Sequence, residues 1–341
     1  MSKRNISVLN LKTNFKNNKN ISKSFLIFKN NIKIIKKNSF IIGVSGGADS
    51  LALTALAKAF QYEKKIKVFY VLIDHGIRKE SSKEALQVRK LLKKHKIHLN
   101  ILTGKKEAKI TKNIQKNARD LRYKLLSEFC KIKKIKYILT AHHSDDQIET
   151  FLIRLSRGSG VQGLSSMREA TKLNNNTSII RPLLNFKKKE LIYISKKIFG
   201  RVFKDPSNNN KKYLRTKVRL LKKVLEKSGI QHEQIINSIN NLRSTSDTLN
   251  VYLRKIYQIN VKKKGNRLKI NFKNISKETT EIKIKILSKA FKNLNNSYYP
   301  PRSKKIINLI NGLVKKEQKK FALSGCIIIK SGNFITIKKE A

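Results

Sequence analysis

Between residues 40 and 155, short apolar runs alternate with stretches whose apolar residues recur at helical spacing. The runs FIIGV (40–44), VFYVLID (68–74), LNILTG (99–104) and YILTAH (137–142) are rich in β-branched and aromatic residues and have strand length. Helical patterns fall at about 50–62, 81–95, 112–132 and 145–155. Strand and helix in alternation predict an α/β fold, a parallel sheet covered by helices on both faces. Ligands of such sheets sit beyond the carboxyl ends of the strands. Three polar clusters directly follow strands: SGGADS, DHGIRKES and HHSDDQIET. They are expected to converge on one edge of the sheet.

From about residue 185 the pattern changes. FKKKELIYISKKIF and LRTKVRLLKKVLEKSG read as basic helices, separated by the asparagine-rich loop DPSNNNKK at 205–212. Further on, SKKIINLINGLVKK reads as another basic helix, and CIIIKSGNFITIKKE as a hairpin turning at Ser331-Gly332-Asn333. The first 22 residues are polar and Lys/Asn-rich, which predicts a loose arm. The expected organisation is therefore an arm (1–22), an α/β domain (23–212), a basic helical linker (213–245) and a small basic helical or α+β region (246–341). No internal repeat is found.

Composition adds a partner. Of 341 residues, 78 are Lys or Arg and 21 are Asp or Glu, a formal net charge of +57. Such an excess points to a polyanion. A membrane surface is the rival, but no segment approaches the length of an apolar span. The N-terminus carries positive charge without an apolar run behind it, so a cytoplasmic location is expected. The two cysteines, Cys130 and Cys326, are isolated, which excludes a Cys-x-x-Cys redox pair and a four-cysteine zinc site.

The cluster after the first strand lacks the lysine of a Walker loop. Gly46 and Gly47 let the backbone turn sharply, and Ser50 with the first helical amides offers donors to an anion. Asp49 would repel bare phosphate; it makes sense as a ligand of Mg²⁺ lying between them, or as a helix cap. In the third cluster, Ser144 with Gln147 three residues on reads as a capping box. That leaves Asp146 and Glu149, three apart on one helix face, free to recognise an ammonium group or hold Mg²⁺. Zinc is disfavoured, because His142 and His143 would be adjacent at a strand end and point opposite ways.

Ser-Gly-Gly-x-Asp-Ser after a first strand resembles the PP-loop ATP pyrophosphatases, doubly wound α/β domains of adenine nucleotide α-hydrolase type. Within that group, DHGIRKESSKEALQV (74–88), QKNARDLRY (115–123), AHHSDDQIETFLIRLSRGSGVQGLSSM (141–167), IIRPLL (179–184) and KDPSNNNKKYLRTKVR (204–219) resemble the tRNA(Ile)-lysidine synthetases, over about residues 25–340. The resemblance implies a ligase. It would use ATP to adenylate the carbon-2 oxygen of the wobble cytidine of a CAU-anticodon tRNA(Ile), then join free L-lysine there.

Roles carried over on that scheme are as follows. Ser45, Gly46, Gly47, Ala48 and Ser50 would cradle the β,γ-phosphates, with Asp49 acting through Mg²⁺. Asp74 and His75 would lie by the adenosine, although His75 equally suits a satisfied turn. Asp146 and Glu149 would bind the amino groups of lysine. Arg119 or Arg122 would hold its carboxylate, the alternative being a solvated face paired to Asp120 or Glu128. Arg157, Arg181, Arg215 and Arg219 would contact the tRNA. The family's Arg-Asn-x-x-Arg is here Arg215-Thr216-Lys217-Val218-Arg219, without the asparagine. A homodimer is compatible with this reading. A tRNA thiolase of the same group is the enzyme alternative, weakened by the lone cysteines. A basic RNA-binding module on a dead nucleotide fold would be expected to lose Asp49, Asp146 or Glu149, and all three are present.

Overall fold

The computed structural model describes residues 15, 17–35, 39–76, 80–104, 114–174, 176–203, 214–295, 300–315 and 320–340. The chain divides into two compact units, Met1–Leu242 and Arg243–Ala341. The asparagine-rich loop, and with it the expected domain boundary at 212, lies outside the described residues.

In the first unit the elements run α1 (Lys19–Asn31), β1 (Ser39–Val44), α2 (Ala48–Lys64), β2 (Lys67–Asp74), α3 (Ser81–Lys94), β3 (Leu99–Thr103), α4 (Ile114–Ile132), β4 (Tyr137–Leu139) and α5 (Ser144–Leu155). They continue with α6 (Val161–Leu164), β5 (Ala170–Lys172), β6 (Ser178–Ile180), α7 (Lys188–Phe199) and α8 (Leu214–Lys227), and α9 (His232–Asn260) begins here. The sheet order is β3-β2-β1-β4-β6-β5. All neighbours are parallel except the β5–β6 pair. The strand order therefore reverses between β1 and β4, which opens a crevice beyond the ends of those two strands.

Alternation along β1 builds a core on each face. Phe40, Ile42 and Val44 join the larger core with α2, α3 and α7, whereas Ile41 packs with Val71, Ile138 and the α4 residues Leu126 and Phe129. Helix α2 has Leu51, Ala52, Leu53, Ala55, Leu56 and Ala57 all fully buried. A helix apolar on every side is a helix covered on every side. This one is sandwiched because α7 packs over it, and that packing fixes the N-terminus of α7 near the loop after β1.

The alternating pattern located β1–β3 and α2–α5 to within a few residues. Three features differ from these expectations. Helix α1 starts at Lys19, capped by Asn18 Oδ1 accepting from the Ile21 N–H, so residues 19–22 belong to a helix whose Ile21 is buried and not to a loose arm. Strand β4 ends at Leu139, three residues short of the expected end, because the chain turns into α5 just after Thr140, whose N–H still bonds Ile180 O. The three-residue strands β5 and β6 are too short to leave a periodic signal. The segment expected as a basic helical linker is helical, forming α8 and the start of α9.

The second unit starts within α9 and adds β7 (Val261–Lys264), β8 (Arg267–Asn271), α10 (Phe272–Ser276), α11 (Thr280–Asn295), α12 (Ser303–Val314), β9 (Lys320–Ala322), β10 (Cys326–Ser331) and β11 (Phe334–Lys339). Its antiparallel sheet, ordered β7-β8-β11-β10-β9, packs on α11 and α12 through Ile270, Leu287, Phe291, Ile306, Leu313 and Ile337. The expected hairpin is β10–β11, with Ser331 opposite Phe334 and Gly332 at φ +52°. Cys326 is buried there and bonds Asn295, as befits a structural thiol.

Of the two glycines expected to shape the first loop, only Gly46 has a left-handed φ, +83°. A Cβ there would lie 2.6 Å from Val88 Cγ2 and 3.3 Å from Phe203 Cδ2, whereas at Gly47 the nearest atom is 3.8 Å away. Gly46→Ala is therefore expected to cost at least about 1–2 kcal/mol from backbone conformation alone, and Gly47→Ala much less. Chemical denaturation of both variants checks this; equal losses would contradict it.

Candidate active site

The loop after β1 is stapled by its own serines. The Ser45 N–H and Ser45 Oγ both lie against Ser50 Oγ, at 3.1 and 3.2 Å, and Ser50 Oγ donates to Gly47 O at 3.0 Å. Gly47 caps α2 without a side chain, so the first amides of that helix open toward the crevice and present a site for an anion.

The segment after β4 reaches the same place, and its local structure differs from the expected capping box. The N-cap of α5 is His143, and the acid returning to its N–H is Asp146, at 3.1 Å. Ser144 and Gln147 instead tie α5 to its surroundings. Ser144 Oγ donates to Phe186 O at 2.8 Å, while Gln147 exchanges two bonds with the Met167 backbone at 2.8 and 3.0 Å. Buried polar groups satisfied by distant backbone leave no sequence signal at short range.

Around the His143 imidazole three carboxylates assemble. Its Nε2 lies 3.6 Å from both Asp49 Oδ2 and Asp146 Oδ2, and its Nδ1 lies 3.6 Å from Asp145 Oδ2. Burial opposes the charge on this ring, but Asp145, Asp49 and Asp146 outweigh it and raise its pKa to about 9. Burial likewise works against ionising Asp49 and Asp145. It is overcome at Asp49 by His143 and Lys188, and at Asp145 by His143 and Lys222, so both stay below the ordinary carboxylate range. The neighbouring His142 goes the other way: burial, with Arg181, Arg119 and Arg215 nearby, lowers it to about 3 despite Asp146.

Further cations come from α7 and α8. Lys188 Nζ sits 2.6 and 2.5 Å from the two oxygens of Asp49. Lys222 pairs with Asp145. Glu149, only 4% exposed, faces Arg219 Nε at 2.6 Å and Arg215 Nε at 3.5 Å. Lys188, Lys222, Asp145 and His143 were not singled out by sequence reasoning for a role of this kind. Lys188 reaches Asp49 because the start of α7 is packed over α2, and a separation of 139 residues hides that pairing.

The remaining candidates divide. Asp74 is buried, and its carboxylate accepts from Gly76 N, Ser81 Oγ and Ser82 Oγ at 3.0, 2.6 and 2.5 Å, so it secures the entry to α3 instead of presenting a free acid to adenosine. His75 lies 3.4 Å from Arg122, with burial and that arginine lowering its pKa to about 4. Arg119 is exposed and stacks at 5.2 Å on Tyr123. Arg157 is exposed at the end of α5. Arg181, expected on the tRNA-facing surface, is buried and donates to Arg168 O and Thr171 Oγ1 at 2.8 and 2.9 Å; it braces the β5–β6 edge. Arg154, unforeseen, does similar work by donating to Gly163 O and Ser166 O.

Among the described residues, no group of three or more His, Cys, Asp or Glu is arranged to hold a metal ion. The cysteines are both buried, and burial raises Cys130 to about 11.

A family model described as the PP-loop domain matches residues 17–227. The tRNA(Ile)-lysidine synthase of Wolbachia pipientis wMel is 35% identical over 322 residues, covering 93% of this chain and 74% of that protein. The chain belongs to the PP-loop tRNA(Ile)-lysidine synthase family. The synthase of Orientia tsutsugamushi is 32% identical over 350 residues, covering 97% and 74% of the two chains. Among solved structures, a U34-tRNA thiolase from Methanococcus maripaludis superposes with a TM-score of 0.56 at 18% identity, over 65% of this chain and 79% of that one. At that identity the likeness shows the shared fold alone.

The raised pKa of His143 has a sign that can be checked. A group raised from about 6.5 unfolded to about 9 folded contributes stability fully below the lower value and loses it as pH rises through the upper one. The difference in thermal midpoint between the wild type and His143→Gln, without ATP or divalent metal, is therefore expected to be widest below about pH 6.5. It should narrow as pH rises through about 9. A gap constant across this range would show that the ring carries no charge.

Proposed function

We propose that this chain joins free L-lysine to carbon 2 of the wobble cytidine of a CAU-anticodon tRNA(Ile). ATP is split to pyrophosphate to adenylate the base, and AMP leaves when the amine attacks. The observation that carries the reading is the meeting of the Ser45–Ser50 loop and the α5 acids at one strand-order reversal. A phosphate cradle and an ammonium-binding acid cluster are thereby adjacent, as transfer from nucleotide to amine requires.

The backbone of Ser45–Ala48, with the first amides of α2, would hold the β,γ-phosphates. Asp49 beside them suits Mg²⁺, which commonly takes one or two carboxylates and completes its shell with phosphate oxygens and water. Bound there, the metal would neutralise charge developing on the leaving pyrophosphate. A site with one such carboxylate accords with the lack of a larger metal-binding cluster among the described residues. Lys188 already balances Asp49 with a positive charge and is placed to do the same for a phosphate. Asp146 and Glu149 take the two amino groups of lysine, and exposed Arg119 or Arg122 on α4 its carboxylate. The +57 charge supports phosphate contacts to the tRNA body, with exposed Arg157 as one such contact.

The decisive assay is transfer of radiolabelled lysine to an unmodified tRNA(Ile) transcript with a CAU anticodon. ATP is supplied, and a methionine tRNA of the same anticodon serves as control. Label on the isoleucine transcript alone is expected; label on neither, with pyrophosphate still released, would leave adenylation intact and remove lysine as the second substrate. Asp49→Asn is expected to lower kcat/KM by at least about 100-fold while tRNA binding persists. Loss of tRNA binding to a similar extent would contradict its assignment to the nucleotide.

A further inference from the structure

The carboxylate of Glu149 is almost wholly buried, and a buried carboxylate stripped of its cation is strongly disfavoured. Its cation here is Arg219, approaching side-on with Nε 2.6 Å from Oε1 and Nη2 3.5 Å from Oε2. Arg215, one turn earlier on α8, supports it at 3.5 Å. Burial works against the charge on Arg219, but Glu149 and then Asp146 and Asp49 outweigh it, so the guanidinium sits in the field of those three acids. It occupies the contact with Glu149 that a substrate ammonium would need.

The seat of this arginine is not sealed. The Arg219 side chain is 42% exposed. Helix α8 is fastened to α5 by an apolar cluster that joins Val218 and Leu225 to Ile148 and Leu152, and by the pairing of Lys222 with Asp145. Rotation of the long Arg219 side chain therefore frees Glu149 Oε1 without unpacking the helix, while Arg215 stays 3.5 Å from Oε2.

We propose that Arg219 is a stand-in for the substrate ammonium: it holds Glu149 until an amino group of lysine displaces it, and the displaced guanidinium is taken up by a phosphate oxygen. The proposal rests on the reading of Asp146 and Glu149 as the lysine site. The exchange keeps Glu149 paired throughout, and it moves one positive charge from the acid cluster to a place where a polyanion can use it. Phosphate binding draws Arg219 off Glu149, so it tightens lysine binding. By reciprocity, lysine tightens phosphate binding by the same factor. The phosphate can belong to the tRNA backbone or to ATP, and the two are separable by experiment. A further consequence is specificity in time: the amino acid is held firmly only when the second partner is present.

Equilibrium dialysis of radiolabelled L-lysine tests this on the full chain. Three arms are compared: protein alone, with the unmodified tRNA(Ile) transcript, and with a non-hydrolysable ATP analogue. In the wild type, lysine affinity is expected to rise at least about fivefold, the lower end of ordinary coupling between sites, in whichever arm supplies the phosphate. In Arg219→Gln, lysine is expected to bind the protein alone more tightly by a similar factor, with the second ligand no longer adding to it. Arg219→Lys should behave like the wild type. No coupling in either wild-type arm, weaker lysine binding in Arg219→Gln, or undiminished coupling in that variant would each overturn the proposal. Glu149→Gln separates the two ideas. Unchanged lysine affinity in that variant would remove the lysine site itself, whereas lost affinity together with weak binding in Arg219→Gln would remove only the stand-in role.

Discussion

The arrangement that the rest of the site depends on is the packing of three aspartates around the His143 imidazole. Asp49 comes from the start of α2, Asp145 and Asp146 from the start of α5, and the ring binds the two helix N-termini through charge at 3.6 Å. Each helix terminus carries its own partial positive charge, which makes the concentration of carboxylates tolerable there. The imidazole and the lysines of α7 and α8 supply the rest of the balance. Remove the ring and the three carboxylates lose the cation between them, in surroundings that screen their mutual repulsion poorly.

That cluster exists only because of the strand order. β1 and β4 are neighbours in the sheet, although α2, β2, α3, β3 and α4 intervene in sequence. Helices leaving their two ends must diverge, and the crevice between them receives the loop amides of one and the acids of the other. Packing then decides which cations can reach in. α7 lies against the buried helix α2, which delivers Lys188 to Asp49; α8 lies on α5, which delivers Arg215, Arg219 and Lys222.

Charge at this site is consequently organised on two levels. The bulk excess of Lys and Arg concerns a partner and acts over the Debye length. The few cations that meet buried acids act at contact distance and set the chemistry. Arg219 belongs to both levels: it lies on a basic helix of the kind expected to face RNA, and its head group is turned inward onto Glu149. Arg181 shows the opposite case, a basic residue wholly absorbed by structure.

Much was legible without coordinates. Strands and helices whose side chains repeat at period 2 or 3.6 write their faces into the sequence, so β1–β3, α2–α5 and the final hairpin could be placed. The phosphate loop was legible as well, because Gly46 has to accept a backbone conformation that few other residues tolerate. The acids Asp49, Asp146 and Glu149 were legible as chemistry, since their types and spacing call for a cation. Which cation each acid meets was decided only by tertiary structure. The pairs Asp49–Lys188, Asp145–Lys222 and Glu149–Arg219 join residues far apart in the chain, and a single sequence carries no periodic trace of such pairs. The same reason hid the true cap of α5 and the structural uses of Ser144, Gln147, Asp74 and Arg181. A short polar side chain reads as free until the fold brings a backbone group to it. Sequence by itself determined the elements and the kinds of charge, because these follow from local backbone preference and the alternation of apolar faces. Tertiary structure alone determined the pairing of charges, because pairing depends on distance in space and on the burial that makes an unpaired charge costly.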